Sequence, residues 1–205
     1  TVLKRQTDTD RVAVLADRVL SSSQRMGHMI EDLLDVTRIR HAGGLALQLG
    51  RADMQSIVQR TLDEVQTSFP DRNIESVLQG DMAGVWDSER LCQVATNIVG
   101  NAIHHGAPDQ PVRVAVDGTQ ASVVTVAVSN GGTIAPELLP HLFDPFRGRD
   151  RAPGRHQGLG LGLFIAHQVV RAHGGRIDVH SQDGTTRFVV ELPRVSPAAE
   201  KWSNT

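Results

Sequence analysis

Three glycines alternate with leucines in the segment Gly158-Leu159-Gly160-Leu161-Gly162, which leads into apolar residues at helical spacing. Alternating glycine has little use inside a packed strand, because it costs conformational entropy and buries no side chain. At the start of a helix, such glycines let backbone N–H groups approach a phosphate, which the helix dipole also attracts. Glycine-rich turns also occur as simple tight bends, so this segment alone leaves both interpretations open.

A second polar group lies upstream, on a segment with helical apolar spacing that follows the capping signal Asp87-Ser88. Asn97 and Asn101 are one helical turn apart, with His104 close by. An asparagine side chain offers a neutral oxygen and two donors, so it can bind Mg²⁺ or a metal-bound water beside phosphates. The alternative is that these asparagines are exposed and bind nothing.

Further motifs appear in a definite order: Ser129-Asn130-Gly131-Gly132, then Leu142-Phe143-Asp144-Pro145-Phe146, then the glycine segment and Gly184-Thr185-Thr186. With Asn-x-x-x-Asn, they resemble the N, G1, F, G2 and G3 boxes of the ATP-binding domain of sensor histidine kinases. That fold is shared with gyrase, a heat-shock chaperone and mismatch-repair ATPases. The resemblance covers residues 45–193. The stretch from Asp32 to Leu49 and the form of the G1 box are also similar to light-sensing phytochrome kinases.

The resemblance implies an ATP site with Mg²⁺. Asn101 would bind the Mg²⁺ that bridges the phosphates, and Asn97 would hold a metal-bound water or a phosphate. Related ATP hydrolases often have a glutamate at position 97 as general base, so asparagine fits a kinase whose phosphoryl acceptor is a histidine. His104 and His105 stand where the family often has a lysine near the phosphates and an aromatic residue by the nucleotide. Both could equally be solvated histidines at a helix end.

The G1 box departs from the family, in which an aspartate accepts a hydrogen bond from the adenine amino group. Ser129 or Asn130 takes this position, depending on how the motif is aligned, and we prefer Asn130. Its amide oxygen accepts the same bond without the charge that strengthens it. The complete set of expected ATP-binding residues is Asn97, Asn101, His104, His105, Asn130, Gly131, Gly132, Phe146, Arg147, Gly158, Leu159, Gly160, Leu161, Gly162 and Thr186, with Asn101 as the metal ligand.

Residues 147–157, between the F and G2 boxes, contain glycine, proline and four arginines without periodicity, which is typical of a mobile surface loop. This is the position of the ATP lid in the family. Arginine matches phosphate oxygens well, and Arg147 is the first candidate for such a contact. For any single arginine, the alternative is a solvated charge.

The phosphoacceptor histidine of the family is followed by Glu or Asp and lies in the first helix of a dimeric hairpin. No histidine precedes His28, which is followed by Met29-Ile30 and lies in a segment that resembles the second hairpin helix. We therefore expect no catalytic residue in this chain. The acceptor would lie upstream, and this chain would bind ATP without phosphorylating itself.

These motifs need elements that position them. From Asp10 to Arg40, residues of a heptad seam step by three and four, all of them apolar except Ser22, which fills the one gap. Leu20, Ile30 and Leu34 widen this seam into a face typical of a helix bundle. Such a helix needs partner helices, and the resemblance implies a homodimer through residues 12–36. The seam consists of Val12, Leu15, Val19, Met26, Met29, Leu33 and Val36.

Strand and helix patterns interleave after residue 45. We predict an α+β fold of the Bergerat type, in which a mixed sheet is covered by a layer of helices to form an α/β sandwich. Asp53 is expected to cap the first helix of this domain. The predicted strands are Leu45–Leu49, Ile74–Leu78, Val112–Val116, Val123–Val128, 176–181 and 186–191.

The chain of 205 residues can hold one full domain and an appendage. The expected divisions are a partial dimerisation hairpin at 1–43, the ATP-binding domain at 45–193 and a disordered tail at 194–205. A net charge of −2 gives no indication of nucleic-acid binding, and no apolar run is long enough to cross a bilayer. A cytoplasmic location is expected, and Cys92 is expected to be a small buried residue.

Three functions remain open from the sequence. The first is the kinase core of a two-component sensor, which passes a phosphoryl group from ATP to a histidine and then to an aspartate of a response-regulator receiver domain. An upstream sensor domain would supply the stimulus. The second is a catalytically silent ATP-binding or scaffolding module, favoured by the missing G1 aspartate. The third is a water-hydrolysing ATPase of the same fold, disfavoured by Asn97.

Overall fold

The computed structural model describes residues 29–39, 45–146 and 159–195, and single positions of the N-terminal helix at 12, 15, 16, 19, 23, 26 and 27. The N-terminal helix is α1, which is helical at every described position from 12 to 39. The other helices are α2 (Met54–Ser68), α3 (Ser88–His105) and α4 (Gly162–Ala172), with a 3₁₀ helix at Pro136–His141. The strands are β1 (Gly50–Asp53), β2 (Ile74–Gly80), β3 (Ala83–Trp86), β4 (Val112–Gly118), β5 (Val123–Gly131), β6 (Arg176–Gln182) and β7 (Thr185–Pro193).

Five strands form one mixed sheet in the order β2-β4-β5-β7-β6. The β2–β4 pair is parallel, and the other neighbours are antiparallel. Along β4, Val112, Val114 and Val116 are buried while Arg113 and Ala115 are exposed, so one face of the sheet meets the core. Helices α2, α3 and α4 contribute buried residues to the same core. The predicted α/β sandwich with a mixed sheet is confirmed.

Both predicted helix caps are present, and the cap of α3 is tied to α4. Asp53 Oδ1 accepts from Ser56 N at 3.0 Å, and Asp87 Oδ1 accepts from Arg90 N at 3.1 Å. The backbone N–H of Asp87 donates to Nε2 of the fully buried His173 at 3.0 Å. His173 Nδ1 in turn lies 2.8 Å from Val169 O. The start of the helix that carries the two asparagines is therefore fixed against the end of α4.

The predicted strand at Leu45–Leu49 is wrong, because these residues have no regular secondary structure. The leucines are half-buried and alternate with exposed residues. The alternating pattern in the sequence therefore arises because one side of an extended segment is buried, and not because the segment is paired in a sheet. The N–H of Gln48 donates to Asp87 Oδ2 at 2.8 Å instead of to a strand. Strand pairing begins only after Leu49, where β1 (Gly50–Asp53) pairs with β3 (Ala83–Trp86). Neither of these two strands was predicted from the sequence.

The N-terminal helix meets the rest of the chain at its C-terminal end. Val36, predicted as the last seam residue, is instead 3% exposed and belongs to the common core. Seven large apolar residues of this helix are between 48% and 65% exposed, namely Val12, Leu15, Val19, Met26, Ile30, Leu33 and Leu34, whereas Met29 and Ile39 are half-buried. Within the part of the chain that the structure describes, no helix is both long and apolar enough to cross a membrane.

Candidate functional site

Asn97 lies where α3 approaches the N-terminus of α4. Its Nδ2 is buried and has no hydrogen-bond partner in the described protein. A Cβ atom at Gly162, the first residue of α4, would lie 2.8 Å from Asn97 Oδ1, so glycine is needed for this close approach. Because buried amide groups are nearly always paired, the unpaired donor indicates that a water or a ligand acceptor completes this position.

Asn101 follows one turn later on α3 and is half-buried, while its helix neighbours Ile98 and Ala102 are buried. Its amide oxygen is the kind of ligand that Mg²⁺ accepts. Among the described residues, no group of three or more His, Cys, Asp or Glu side chains could hold a metal ion. A metal at Asn101 would therefore take its other ligands from phosphates and water, which is how Mg²⁺ is usually bound beside a nucleotide.

The glycine turn, defined here as residues 159–162, leads into α4. Gly160 has a φ of +69°, which favours glycine, and Leu161 is 1% exposed and anchors the turn in the core. The N-cap position, Leu161, provides no side-chain hydrogen bond to the helix. The first backbone N–H groups of α4 have no partner within the helix, so they can donate to an anion.

Asn130 is buried near the end of β5, on the helix-facing side that also carries the buried Val128. Its Nδ2 donates to Gly131 O at 2.8 Å, which leaves Oδ1 as an acceptor. A Cβ at Gly106, just after α3, would lie 3.1 Å from Asn130 Cβ, so the two elements meet closely here. Ser129 lies in the alternate position on the strand, which favours Asn130 as the residue in the G1 position.

Thr186 lies beside Asn130 in the sheet, as its registered partner on β7. Its hydroxyl donates to Gly132 O at 2.8 Å and lies 2.8 Å from Ser181 Oγ. Ser181 Oγ accepts from Ile134 N at 2.7 Å. Thr186 and Ser181 therefore hold the chain that leaves Gly131 and Gly132. Ser181 was missed by the sequence reasoning, because only the β6–β7 register brings it here.

The two histidines at the end of α3 have different surroundings. The His104 ring makes an edge contact with Phe69, with 5.3 Å between centroids and 86° between planes. A Cβ at Gly132 would lie 3.5 Å from His105 O, so the backbone at His105 is beside the G1 glycines. Contact of either side chain with a nucleotide stays a prediction.

The segment from His141 to Phe146, called the F segment below, contacts the glycine turn and α4. Phe146 has a φ of +67°, and its N–H donates to Gly160 O at 3.1 Å. The ring of Phe143 stacks on His167 of α4, with 5.1 Å between centroids. Burial, and secondarily the charge of Arg171, lower the pKa of His167. Arg147, Gly158, the expected lid at 147–157, His28 and the tail beyond 195 lie outside the described residues.

The sequence matches the family of histidine kinase-, DNA gyrase B- and HSP90-like ATPases over residues 86–196. It is 31% identical over 184 residues to a bacteriophytochrome of Pseudomonas aeruginosa, covering 89% of this chain and 25% of that protein. It is 30% identical over 192 residues to sensor protein SrrB of Staphylococcus aureus, covering 92% of this chain and 33% of SrrB. The chain thus spans a quarter to a third of the length of these curated relatives.

A solved structure of histidine kinase AdeS from Acinetobacter baumannii has the same fold, with a TM-score of 0.70 and 21% identity over 88% of this chain and 84% of that chain. The family match begins at Trp86, before α3, and ends after β7, so it contains the asparagine helix, the glycine turn and Thr186. The resemblance found in the motifs is therefore confirmed. The chain belongs to the family of histidine kinase-, DNA gyrase B- and HSP90-like ATPases and contains an ATP-binding domain of the sensor histidine kinase type.

Proposed function

We propose that this chain binds ATP with Mg²⁺ between α3, the glycine turn and the end of β5, as the ATP-binding core of a sensor histidine kinase. The observation that carries the proposal is the buried, unpaired Nδ2 of Asn97 directly opposite Gly162. A donor in that position, next to the uncapped N-terminus of α4, suits a phosphate group or a water bound to it.

Each part of the site has a distinct role in this proposal. Backbone N–H groups of the glycine turn and α4 would bind phosphate oxygens, and Asn101 would hold Mg²⁺. When bound, Mg²⁺ would offset the negative charge of the phosphates. At the other end of the site, Asn130 Oδ1 would accept from the adenine amino group, with Gly131 and Gly132 held by Thr186 and Ser181. Asn130 is oriented for this by its own bond to Gly131 O.

The amide side chain of Asn97 favours phosphoryl transfer to a histidine over ATP hydrolysis. An amide cannot take up a proton from water, so Asn97 cannot act as a general base. None of the nine histidines in the sequence is followed by Asp or Glu. We therefore place the acceptor histidine in a part of the protein outside this chain, with transfer onward to an aspartate of a receiver domain.

The exposed apolar face of α1 supports a homodimer in this proposal. Seven of its large apolar residues between Val12 and Leu34 are exposed, and a large exposed apolar patch is typical of an interaction surface. A second copy of the helix would cover them as part of a bundle. We also propose that a sensor domain precedes this segment in the whole protein and that the ATP-binding domain lies in the cytoplasm.

A silent ATP-binding or scaffolding module is the second candidate function. It is favoured because Asn130 lacks the negative charge of the aspartate that the family has at this position.

Calorimetric titration of the chain with ATP, in the presence of either Mg²⁺ or EDTA, tests the binding step. We expect measurable affinity that falls when EDTA removes the metal. No heat of binding at millimolar MgATP would contradict the proposal. The longer protein with its preceding segment should form acid-labile phosphohistidine, whereas a silent module binds MgATP without labelling.

A further inference from the structure

The F segment is joined to α4 and the glycine turn at two points. Its last residue, Phe146, donates its N–H to Gly160 O at 3.1 Å. Its middle residue, Phe143, stacks on His167 with 5.1 Å between ring centroids and 24° between ring planes. Such an offset stack is a favourable aromatic arrangement. The F segment therefore contacts both the glycine turn, through Phe146, and the helix α4 that follows this turn, through Phe143.

The F segment is also held together internally. His141 Nδ1 lies 2.8 Å from Asp144 Oδ2, and Asp144 N donates to His141 O at 3.1 Å. These two contacts close a turn at residues 141–144 that contains Phe143, and Phe146 follows two residues after this turn. Phe146 has a φ of +67°, a conformation that a bulky residue adopts only when its surroundings hold it there.

We propose that His167 is a positioning residue for the nucleotide site, because its stack on Phe143 holds the F segment against the glycine turn. The inference rests on the proposed function. In this arrangement the glycine turn contacts the F segment at Gly160, and Asn97 lies close to it at Gly162. His167 acts without touching the nucleotide: it keeps Gly160 and the first N–H groups of α4 in place before a phosphate binds.

The surroundings of the imidazole suit this role. His167 is half-buried, and desolvation lowers its pKa, with Arg171 one turn later on α4 acting in the same direction. The ring is thereby kept neutral at neutral pH, and a neutral flat ring needs no counter-ion while it packs on Phe143. A phenylalanine at this position would retain the stack, whereas an alanine would remove it.

The test compares His167→Ala, His167→Phe and the parent chain by MgATP titration and by hydrogen exchange of the Phe146 amide. An aromatic stack of ordinary strength predicts a loss of MgATP affinity of about three- to tenfold in His167→Ala. The Phe146 amide should exchange faster in the same variant, without a nucleotide present. His167→Phe should restore both quantities. His180→Ala, on the exposed edge strand β6, is the matched control and should change neither.

Equal MgATP affinity in the parent and His167→Ala would overturn this inference and leave the proposed function intact. A loss that His167→Phe does not restore would also overturn it, because the effect would then belong to the imidazole and not to the stack. A parent chain that does not bind MgATP contradicts the proposed function, and with it this inference. Faster exchange at Phe146 with unchanged affinity would show a structural contact only and would likewise overturn the positioning role.

Discussion

Asp35 on α1 and Arg90 on α3 form an ion pair, with 2.6 Å between Oδ2 and Nη1, at the junction of the N-terminal helix and the ATP-binding domain. Gln93 Nε2 donates to the same carboxylate oxygen at 3.0 Å, and Arg90 Nη1 donates to Gln93 Oε1 at 2.9 Å. Only 4% of the Asp35 side chain is exposed. The neighbouring Val36 is buried in the core, so a polar cluster and an apolar contact together fix the end of α1.

Asp35→Ala should loosen this junction. Removing one partner of a fully buried ion pair costs about 3 to 5 kcal/mol, and we expect less here because Arg90 keeps Gln93 as a partner. The measurement is hydrogen exchange at Val36, which should become faster. Glu89→Ala breaks the exposed Arg60–Glu89 pair and is the control, with an expected cost below about 1 kcal/mol. Unchanged exchange at Val36 would show that the ion pair does not hold the helix.

Asn101→Ala should weaken MgATP binding about tenfold or more, since a lost ligand to a charged group costs roughly 1.5 to 3 kcal/mol. The fold should remain intact because the side chain is only half-buried and is assigned to the proposed site and not to the core. Calorimetry of the variant and the parent measures the difference. Asn73→Ala, an exposed asparagine before β2, is the control. Equal affinity in Asn101→Ala and the parent would mean that the asparagine box is wrongly assigned.

Gly162→Ala should also reduce MgATP affinity, because the new Cβ would lie 2.8 Å from Asn97 Oδ1 and displace that side chain or the start of α4. Gly100→Ala on α3 is the control, since a Cβ there has no neighbour within 4 Å. Alanine is the better helix former, so Gly100→Ala should be neutral or stabilise the chain by about 0.5 to 1 kcal/mol. Unaltered affinity in Gly162→Ala would argue against the role given to Asn97.

The free energy of unfolding should fall as the pH drops below about 6.5, the ordinary pKa of histidine. Burial lowers the folded-state pKa of His173, so the unfolded state binds the proton first and stability is lost on acidification. His167 acts in the same direction. Each contributes at most about 1.4 kcal/mol per pH unit. Salt-bridged carboxylates such as Glu191, with a lowered pKa, act only in more acidic solution.

Urea unfolding between pH 5 and 7.5 checks this dependence. His173→Gln should be less stable than the parent at pH 7.5, because it disturbs the bond from Asp87 N, but its stability should fall less steeply with acidification. His180→Gln on β6 is the control, since its side chain is exposed. A parent whose stability is constant from pH 7.5 to 5 would refute the prediction.

Self-association should occur through the exposed face of α1. A fully buried Leu, Val or Met contributes about 1.5 to 3 kcal/mol, so covering several of them favours a dimer. Charged substitutions at Leu15, Met29 and Leu33 should make the chain monomeric without changing MgATP affinity. Val77→Glu, an exposed apolar residue on β2, is the matched control. Sedimentation of the parent as a monomer at high micromolar concentration would contradict the prediction.

Local signals in the sequence were sufficient for the α-helices, five of the seven described strands and the family, but not for the 3₁₀ helix at Pro136–His141. Asp53 and Asp87 cap helices through residues three positions away. Asp183 and Gly184 form the turn that joins β6 to β7, and this turn needs only the positive φ values that both residues adopt. The order of the asparagine, Phe-Asp-Pro-Phe and glycine motifs identified the family, because several short motifs in one order are far more specific than any one alone. Asn97 and Asn101 share a helix face for the same local reason.

Contacts between distant residues were decided only by the tertiary structure. The leucines of residues 45–49 alternate as a strand does, but Gln48 bonds to Asp87 and the pairing starts at Gly50. Val36 fits the bundle repeat in sequence, yet it is buried in the ATP-binding domain, since periodicity gives a residue's face and not its partner. Ser181 and His167 carry no local motif. Their roles arise from strand register and helix packing, which bring residues far apart in the chain into contact.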